Sequence, residues 1–324
     1  MTRVVAVALV GFFAVLATLT GIRAGDSVAD VDEVVYRQTL LEMRTGEGYY
    51  DAMRDALAAK EHAPPSQVRS IRPPTMFLVL RWFPEQSWRW LAGIAYLGIL
   101  LAVWRLADVH IGWPVWLAVA VAGIWVKSYS HFLFLHPEIW GAPLFLAGLL
   151  AYRRGQDRRA AILMAAATVV RELFALGLVL GLLLRRRRAW LVALLVVAAL
   201  AAFHAILARQ VLDTGGREAP FGDERRTLAF LLHLVSPGRD SGSHVIGVGG
   251  LVLGLVGLAR ARRSDPAAAF ALLFVVVMLA LSVWSTRVYW SAVWAPPLVA
   301  FLPAVILRRE DLVQSREPGE VGGQ

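Results

Sequence analysis

The sequence predicts an all-α polytopic membrane protein, a single integral domain over residues 1–309 that crosses the bilayer about ten times. Three observations predict it. Of the 324 residues, 58% are hydrophobic. They gather into runs near the ~20 apolar residues needed to cross about 30 Å of hydrocarbon. The arginines fall in short clusters between those runs ("YRRGQDRR", "RRRR", "ARARR" and "LRRE"), the pattern that holds loops on the cytoplasmic side. Trp82, Trp88, Trp90, Trp113 and Trp116 fall near the ends of predicted spans, as an aromatic belt at the headgroups requires. The net charge of +9 is divided among loop clusters, so it speaks for topology and anionic lipid and against a nucleic-acid partner. With no cysteine in the chain, disulfides, thiolate metal sites and thiol nucleophiles are excluded.

The first apolar run, Val4–Ile22, is long for a secretory leader, and "GIRAGD" offers a poor small-residue cleavage site, so we read it as a retained first span. The next candidate spans are Trp88–Leu106, Ile111–Val126 and Phe132–Tyr152. Beyond the middle of the chain they are Ala189–Ala208, Val245–Ala259, Ala267–Trp284 and Val288–Leu307. Between "YRRGQDRR" and "RRRR" lies the apolar block 160–184, with Arg171 and Glu172 at its centre. A single straight span would put those charges in mid-bilayer, at about 2.5–3.5 kcal/mol for a residue such as Arg. It would also strand one arginine cluster outside. Two short half-helices meeting near the outer face break neither rule, so a charged hairpin is expected. Counting it as two passes puts every arginine cluster and both termini in the cytoplasm, at the plasma membrane. The plainer reading of Arg171 and Glu172 is an ion pair that fastens two helices together.

This layout leaves two large extracytoplasmic loops, 23–87 and 209–244, shorter outer turns at "KSYSHFLFLHPE" and "WSTRVYW", and a cytoplasmic tail, 310–324, of disordered composition. The first loop is patterned. Apolar residues at Val31, Val34, Val35, Leu40, Leu41 and Met43 predict an amphipathic helix closed by Gly46 and Gly48. "YYDAMRDALAAKEH" predicts a second helix, stopped by Pro64-Pro65. "IRPPTMFLVLRWFP" reads as a short interfacial piece.

The outer face therefore collects Asp26, Asp30, Asp32, Glu33 and Tyr36, together with Arg72 of "RPP". His131, His136 and Glu138 join them from one outer turn, Arg171 and Glu172 from the hairpin, and Arg287 and Tyr289 from the last turn. Cations for a phosphate, a carboxylate for proton transfer and an apolar wall for a lipid are what a lipid-linked phosphate substrate requires. His136 and Glu138 also raise a divalent-metal reading, but no two histidines stand at ligand spacing, so no cofactor is expected. Glu138 beside Pro137 suits a helix N-terminus. Tyr49 and Tyr50 read as surface packing or sugar-stacking residues. "DTGG" and "GVGG" lack the setting of a phosphate-binding loop, and we read them as turn and packing glycines.

"VDEVVYRQTLLEMRTGEGYYDAM" followed by "IRPPTMFLVL" resembles the first extracytoplasmic loop of the GT-C superfamily of integral-membrane glycosyltransferases, which includes protein O-mannosyltransferases and the lipid A aminoarabinose transferase. Its members commonly carry an acidic "DE" shortly before a Tyr after the first span, then a Gly-rich step and a "PP" segment. Many have a re-entrant helix pair with a basic residue near its turn, as "ATVVRELFAL" has here. The resemblance implies inverting transfer of a sugar from a polyprenyl-phosphate donor to an acceptor hydroxyl on a glycan, lipid or protein. It implies Asp32 as general base, with Asp30 the rival and Glu33 orienting a partner. Arg171 becomes the first candidate for the donor phosphate, ahead of Arg287 and Arg72. A transporter or lipid-sugar flippase is the alternative. Such carriers often show two related halves with matching broken helices, and here one interrupted hairpin stands without an evident repeat. A structural subunit is a third reading and predicts no dependence on Asp32 or Arg171.

Overall fold

The computed structural model describes residues 2–24, 31–61, 71–107, 114–130, 134–211, 241–285 and 291–305. Within them the chain is helical, with no strand. In order, the helices are α1 (Thr2–Ala24), α2 (Val31–Arg44), α3 (Tyr49–Glu61), α4 (Thr75–Leu80), α5 (Glu85–Ala107), α6 (Pro114–Tyr129) and α7 (Pro137–Arg153). Then come α8 (Asp157–Val170), α9 (Ala175–Arg185), α10 (Arg188–Val211), α11 (Ser241–Ala261), α12 (Pro266–Ser285) and α13 (Ser291–Val299).

Two helices, α5 and α10, are long and apolar enough to cross a membrane; shorter apolar stretches lie at Val4–Thr20, Val115–Lys127, Val248–Ala261, Pro266–Leu281 and Ala295–Val305. The two long helices differ in placement. α5 is largely enclosed, burying Trp88, Tyr96, Ile99, Leu100 and Val103. α10 lies at the periphery and exposes Val192, Leu195, Phe203 and Ile206, each 58–59% accessible. Apolar exposure continues on α1 at Val4, Val7, Phe12 and Val15. Water penalises a surface of this extent, and hydrocarbon does not.

α7 is the central strut and packs against α5, α8, α12 and α13. Phe145 of α7 stacks on Phe274 of α12 with ring centroids 4.3 Å apart. Its helix is shorter than the span Phe132–Tyr152 expected from hydropathy. It starts at Pro137, where a ring-locked φ and a missing N–H suit a first turn. The preceding Phe134 and Leu135 form a buried turn, closed by Trp140 Nε1 donating to the Phe134 carbonyl at 2.9 Å.

The block 160–184 divides as expected. α8 stops where Arg171 turns to extended backbone (φ −149°, ψ 117°), a 3-10 turn covers Glu172–Phe174, and α9 resumes. The β-branched run Thr168-Val169-Val170 weakens the helix just before the break. Thr168 Oγ1 donates to the Met164 carbonyl at 2.8 Å, a back-bond that bends helices. From α4, Thr75 Oγ1 donates to the Val169 carbonyl at 2.9 Å and satisfies one of the acceptors that a helix end leaves open.

The last expected span is corrected. Val288–Leu307 is not one continuous helix: α13 ends at Val299, and a 3-10 turn follows at Leu302–Val305. Pro296 and Pro297, inside α13, supply no backbone donors, so two rungs of its ladder are missing just before it ends. The loop helices match expectation, with Gly46 turning at φ 107° between α2 and α3. Residues 62–70, which include Pro64-Pro65, most of the second large loop and the tail lie outside the described residues.

Candidate functional site

Four segments distant in sequence meet at one end of α7. α2 brings Asp32, Glu33 and Tyr36; the stretch before α4 brings Arg72; the start of α7 brings His136 and Glu138; the helix break brings Arg171 and Glu172.

At the centre is Arg171, only 1% accessible although it is among the largest side chains in the protein. Its Nε donates to Glu138 Oε1 at 2.7 Å, and its Nη1 donates to Glu172 Oε1. The Arg171 and Glu138 side chains are both 2% accessible, whereas that of Glu172 is 52% accessible. Glu138 Oε2 makes no hydrogen bond among the described residues and lies 3.9 Å from His136 Nδ1. Arg171 is therefore engaged by two carboxylates, one buried and one exposed, and a phosphate would reach it only in place of Glu172. The plainer reading, a helix-fastening pair, is present as well, but across α7 and the break: the partner is Glu138, with Glu172 as a second, exposed carboxylate.

Arg72 is the more accessible cation of the cluster. Its Nε donates to the Tyr36 hydroxyl at 3.0 Å, and its Nη1 is 3.9 Å from Glu172 Oε1. The Tyr36 ring packs edge-on to Phe77 at 5.5 Å and to His136 at 5.6 Å. Burial pushes the Tyr36 hydroxyl well above the ordinary phenol range, against the opposing charge of Arg72. Tyr49 is also buried and donates to the Arg72 carbonyl, with its pKa raised chiefly by burial. The surface or sugar-stacking role expected for Tyr49 is thus corrected: its ring and hydroxyl are used in holding the Arg72 segment.

Asp32 and Glu33 occupy the first turn of α2, where carboxylates complement the helix dipole. Asp32 is half-buried and stands one turn from Tyr36, whose hydroxyl feels its charge. Glu33 is 3% accessible and points to another face, where it acts electrostatically on the buried Tyr96 of α5. One turn on from Glu33, Arg37 pairs with Glu85 at the start of α5. Adjacent acids on one helix thus serve two neighbours.

Sequence reasoning missed His204. Its Nε2 is 3.1 Å from the Ile71 carbonyl and its Nδ1 is 3.1 Å from the Tyr50 hydroxyl, so α10 is tied to α3 and to the residue before Arg72. The signal was a polar side chain in an apolar helix, which needs a partner. Asp26, Asp30, His131, Arg287 and Tyr289 lie outside the described residues. Among the described residues no group of three or more His, Asp or Glu is arranged to hold a metal ion.

The arrangement offers a half-buried carboxylate beside a phenol, a cation facing both the phenol and an exposed carboxylate, and a buried ion pair that fixes the helix break. No family model, curated protein or solved structure matches the chain, so the functional reading rests on this geometry and on the sequence pattern that anticipated it.

Proposed function

We propose that the protein is an integral-membrane glycosyltransferase of GT-C type, moving a sugar from a polyprenyl-phosphate donor to an acceptor hydroxyl at the extracytoplasmic face of the plasma membrane. In this reading the chain crosses about ten times with both termini in the cytoplasm. The observation that carries the proposal is the meeting of Tyr36, Arg72, Glu138, Arg171 and Glu172 in one cluster, with Asp32 one turn from Tyr36. The gathering of the basic loops supports the topology: Asp157, at the start of α8, is within 4 Å of both Arg185 and Arg187, far along the chain from the Arg171 break.

The acceptor oxygen attacks the anomeric carbon as the bond from that carbon to the phosphate oxygen breaks, which inverts the configuration. The acceptor proton passes to the Asp32 carboxylate, and the bonding electrons leave with the polyprenyl phosphate. Proton transfer of this kind contributes about 10²–10⁴-fold. The leaving phosphate is already an anion, so it needs electrostatic stabilisation more than an acid. Arg72 supplies this, with Arg171 held behind it by Glu138. Glu172, the exposed carboxylate, yields its place to the phosphate.

A transfer assay with radiolabelled polyprenyl-phosphate sugars tests the proposal, comparing wild type with Asp32→Asn and Arg72→Ala. The base role predicts a loss of about 10²-fold or more for Asp32→Asn in a folded protein, and the phosphate role predicts a raised donor KM for Arg72→Ala. Full activity of Asp32→Asn would remove the base assignment. Absence of transfer with every donor, together with lipid flipping in liposomes, would replace the enzyme reading with a flippase.

A further inference from the structure

A second feature lies at the other end of the α8–α9 hairpin. An open groove of ≈ 610 Å³ is lined by Gln156, Asp157, Arg158, Arg159, Ile162 and Leu163. Asp157, within that lining, has Arg185 Nε and Arg187 Nε beside it, at 3.8 and 3.6 Å. The carboxylate is therefore shared between two arginines, while the exposed Arg158, Arg159, Arg186 and Arg188 make no ion pair among the described residues. Arg158 and Arg159 occupy the first turn of α8, and Arg188 opens α10. Helix N-termini carry partial positive charge, so cations there are opposed by the dipole and an anion is favoured. Next to the charges the surface turns apolar: Ile162 is 58% accessible on α8, and Leu183 is 65% accessible near the end of α9.

We propose that this groove is a binding site for one anionic phospholipid, its phosphate held by Arg158 and Arg159 with Arg185 and Arg187 behind, and its acyl chain along Ile162 and Leu163. A soluble phosphate would use the arginines and leave the apolar wall bare; a zwitterionic lipid would use the wall and leave the arginines uncompensated. An anionic lipid satisfies both. The proposal rests on the membrane reading of the chain and not on the transfer reaction.

The test uses the full chain extracted in detergent, with bound lipids counted by intact-complex mass measurement during titration with phosphatidylglycerol, phosphatidylcholine or inorganic phosphate. Wild type is expected to retain one phosphatidylglycerol ahead of all later ones. Arg158→Gln/Arg159→Gln is expected to weaken that first site about 30-fold, and Arg158→Lys/Arg159→Lys to keep most of it. Arg262→Gln/Arg263→Gln removes the same charge from an exposed cluster beyond the groove and is expected to leave the first site unchanged. Equal losses in the two Gln variants, equal retention of phosphatidylcholine, or displacement of the lipid by millimolar inorganic phosphate would overturn the site. Recovery of the chain from cells without detergent would overturn the membrane reading along with it.

Discussion

Removing Glu138 tests the centre of the cluster. The Arg171 and Glu138 side chains are both 2% accessible and meet at 2.7 Å, so truncating either leaves a charge in a place water does not reach. Breaking such a pair costs about 3–5 kcal/mol. Glu172 contacts the same guanidinium, but its side chain is 52% accessible, and solvent screening holds its contribution to about 1 kcal/mol or less. Glu138→Ala is therefore expected to lower the apparent melting temperature by on the order of 10 °C and Glu172→Gln by only about 2–3 °C. The double replacement Glu138→Leu/Arg171→Met removes both charges and should recover most of the loss, because a well-packed apolar pair substitutes for a buried ion pair at little cost. The assay is tryptophan fluorescence melting in detergent at a fixed scan rate, with a double-mutant cycle on Glu138 and Arg171. Equal shifts for Glu138→Ala and Glu172→Gln, or no recovery in the double variant, would refute the assignment of the buried bond to Glu138.

Three further outcomes are expected. Glu172→Gln should lower the donor KM in the transfer assay while Arg72→Ala raises it; a KM raised by both would show that Glu172 binds donor and does not yield its place. Stability should hold up to about pH 10 and fall above it. Unfolded tyrosines ionise there while Tyr36 and Tyr49 stay protonated, so the unfolded state binds fewer protons and gains by about 1.4 kcal/mol per pH unit for each. Phenolate absorbance from all 7 tyrosines before the unfolding transition would contradict this. Gly257→Ala should destabilise by about 1–3 kcal/mol, because its Cβ would stand 2.1 Å from the Phe301 backbone carbonyl oxygen. Gly11→Ala, whose Cβ meets nothing within 4 Å, should instead stabilise α1 by about 0.5–1 kcal/mol, as melting of the two variants side by side will read.

What was legible in the sequence follows from range. The hairpin was readable because a local cost, two charges at the centre of an apolar block, conflicted with a local rule, arginines at both its ends. α2 and α3 were readable from periodicity closed by Gly46 and Gly48. The partner of Arg171 was not readable, since Glu138 lies 33 residues away and only the packing of α7 on α8 brings the two within 2.7 Å. Tyr49 was misread for the same reason: its use depends on Arg72, 23 residues on, whose carbonyl it meets. The last span failed for a local reason that hydropathy ignores. Pro296 and Pro297 are apolar enough to extend a span, but each removes a rung from the helix that carries it. His204 was overlooked because one polar residue barely changes the hydropathy of α10, although its half-buried ring finds two partners.

The charges of the cluster explain why its arginines are not equivalent. Arg72 and Arg171 against Glu138 and Glu172 sum to zero, so the four alone offer no net attraction to a phosphate. Accessibility breaks that symmetry. Glu138 shares the interior with Arg171, and moving it would strand a buried cation. Glu172 faces Arg171 on one side and Arg72 on the other with half its side chain in solvent, so it can leave at small cost. Once it leaves, Arg72 and one edge of Arg171 face the vacated position together, and the cluster becomes cationic as the anion arrives. A fastening pair alone would need no second carboxylate at the solvent edge. Under the proposed reaction that carboxylate keeps two arginines neutralised until a donor phosphate competes for them, with Arg171 as the fixed anchor and Arg72 as the contact the substrate meets first.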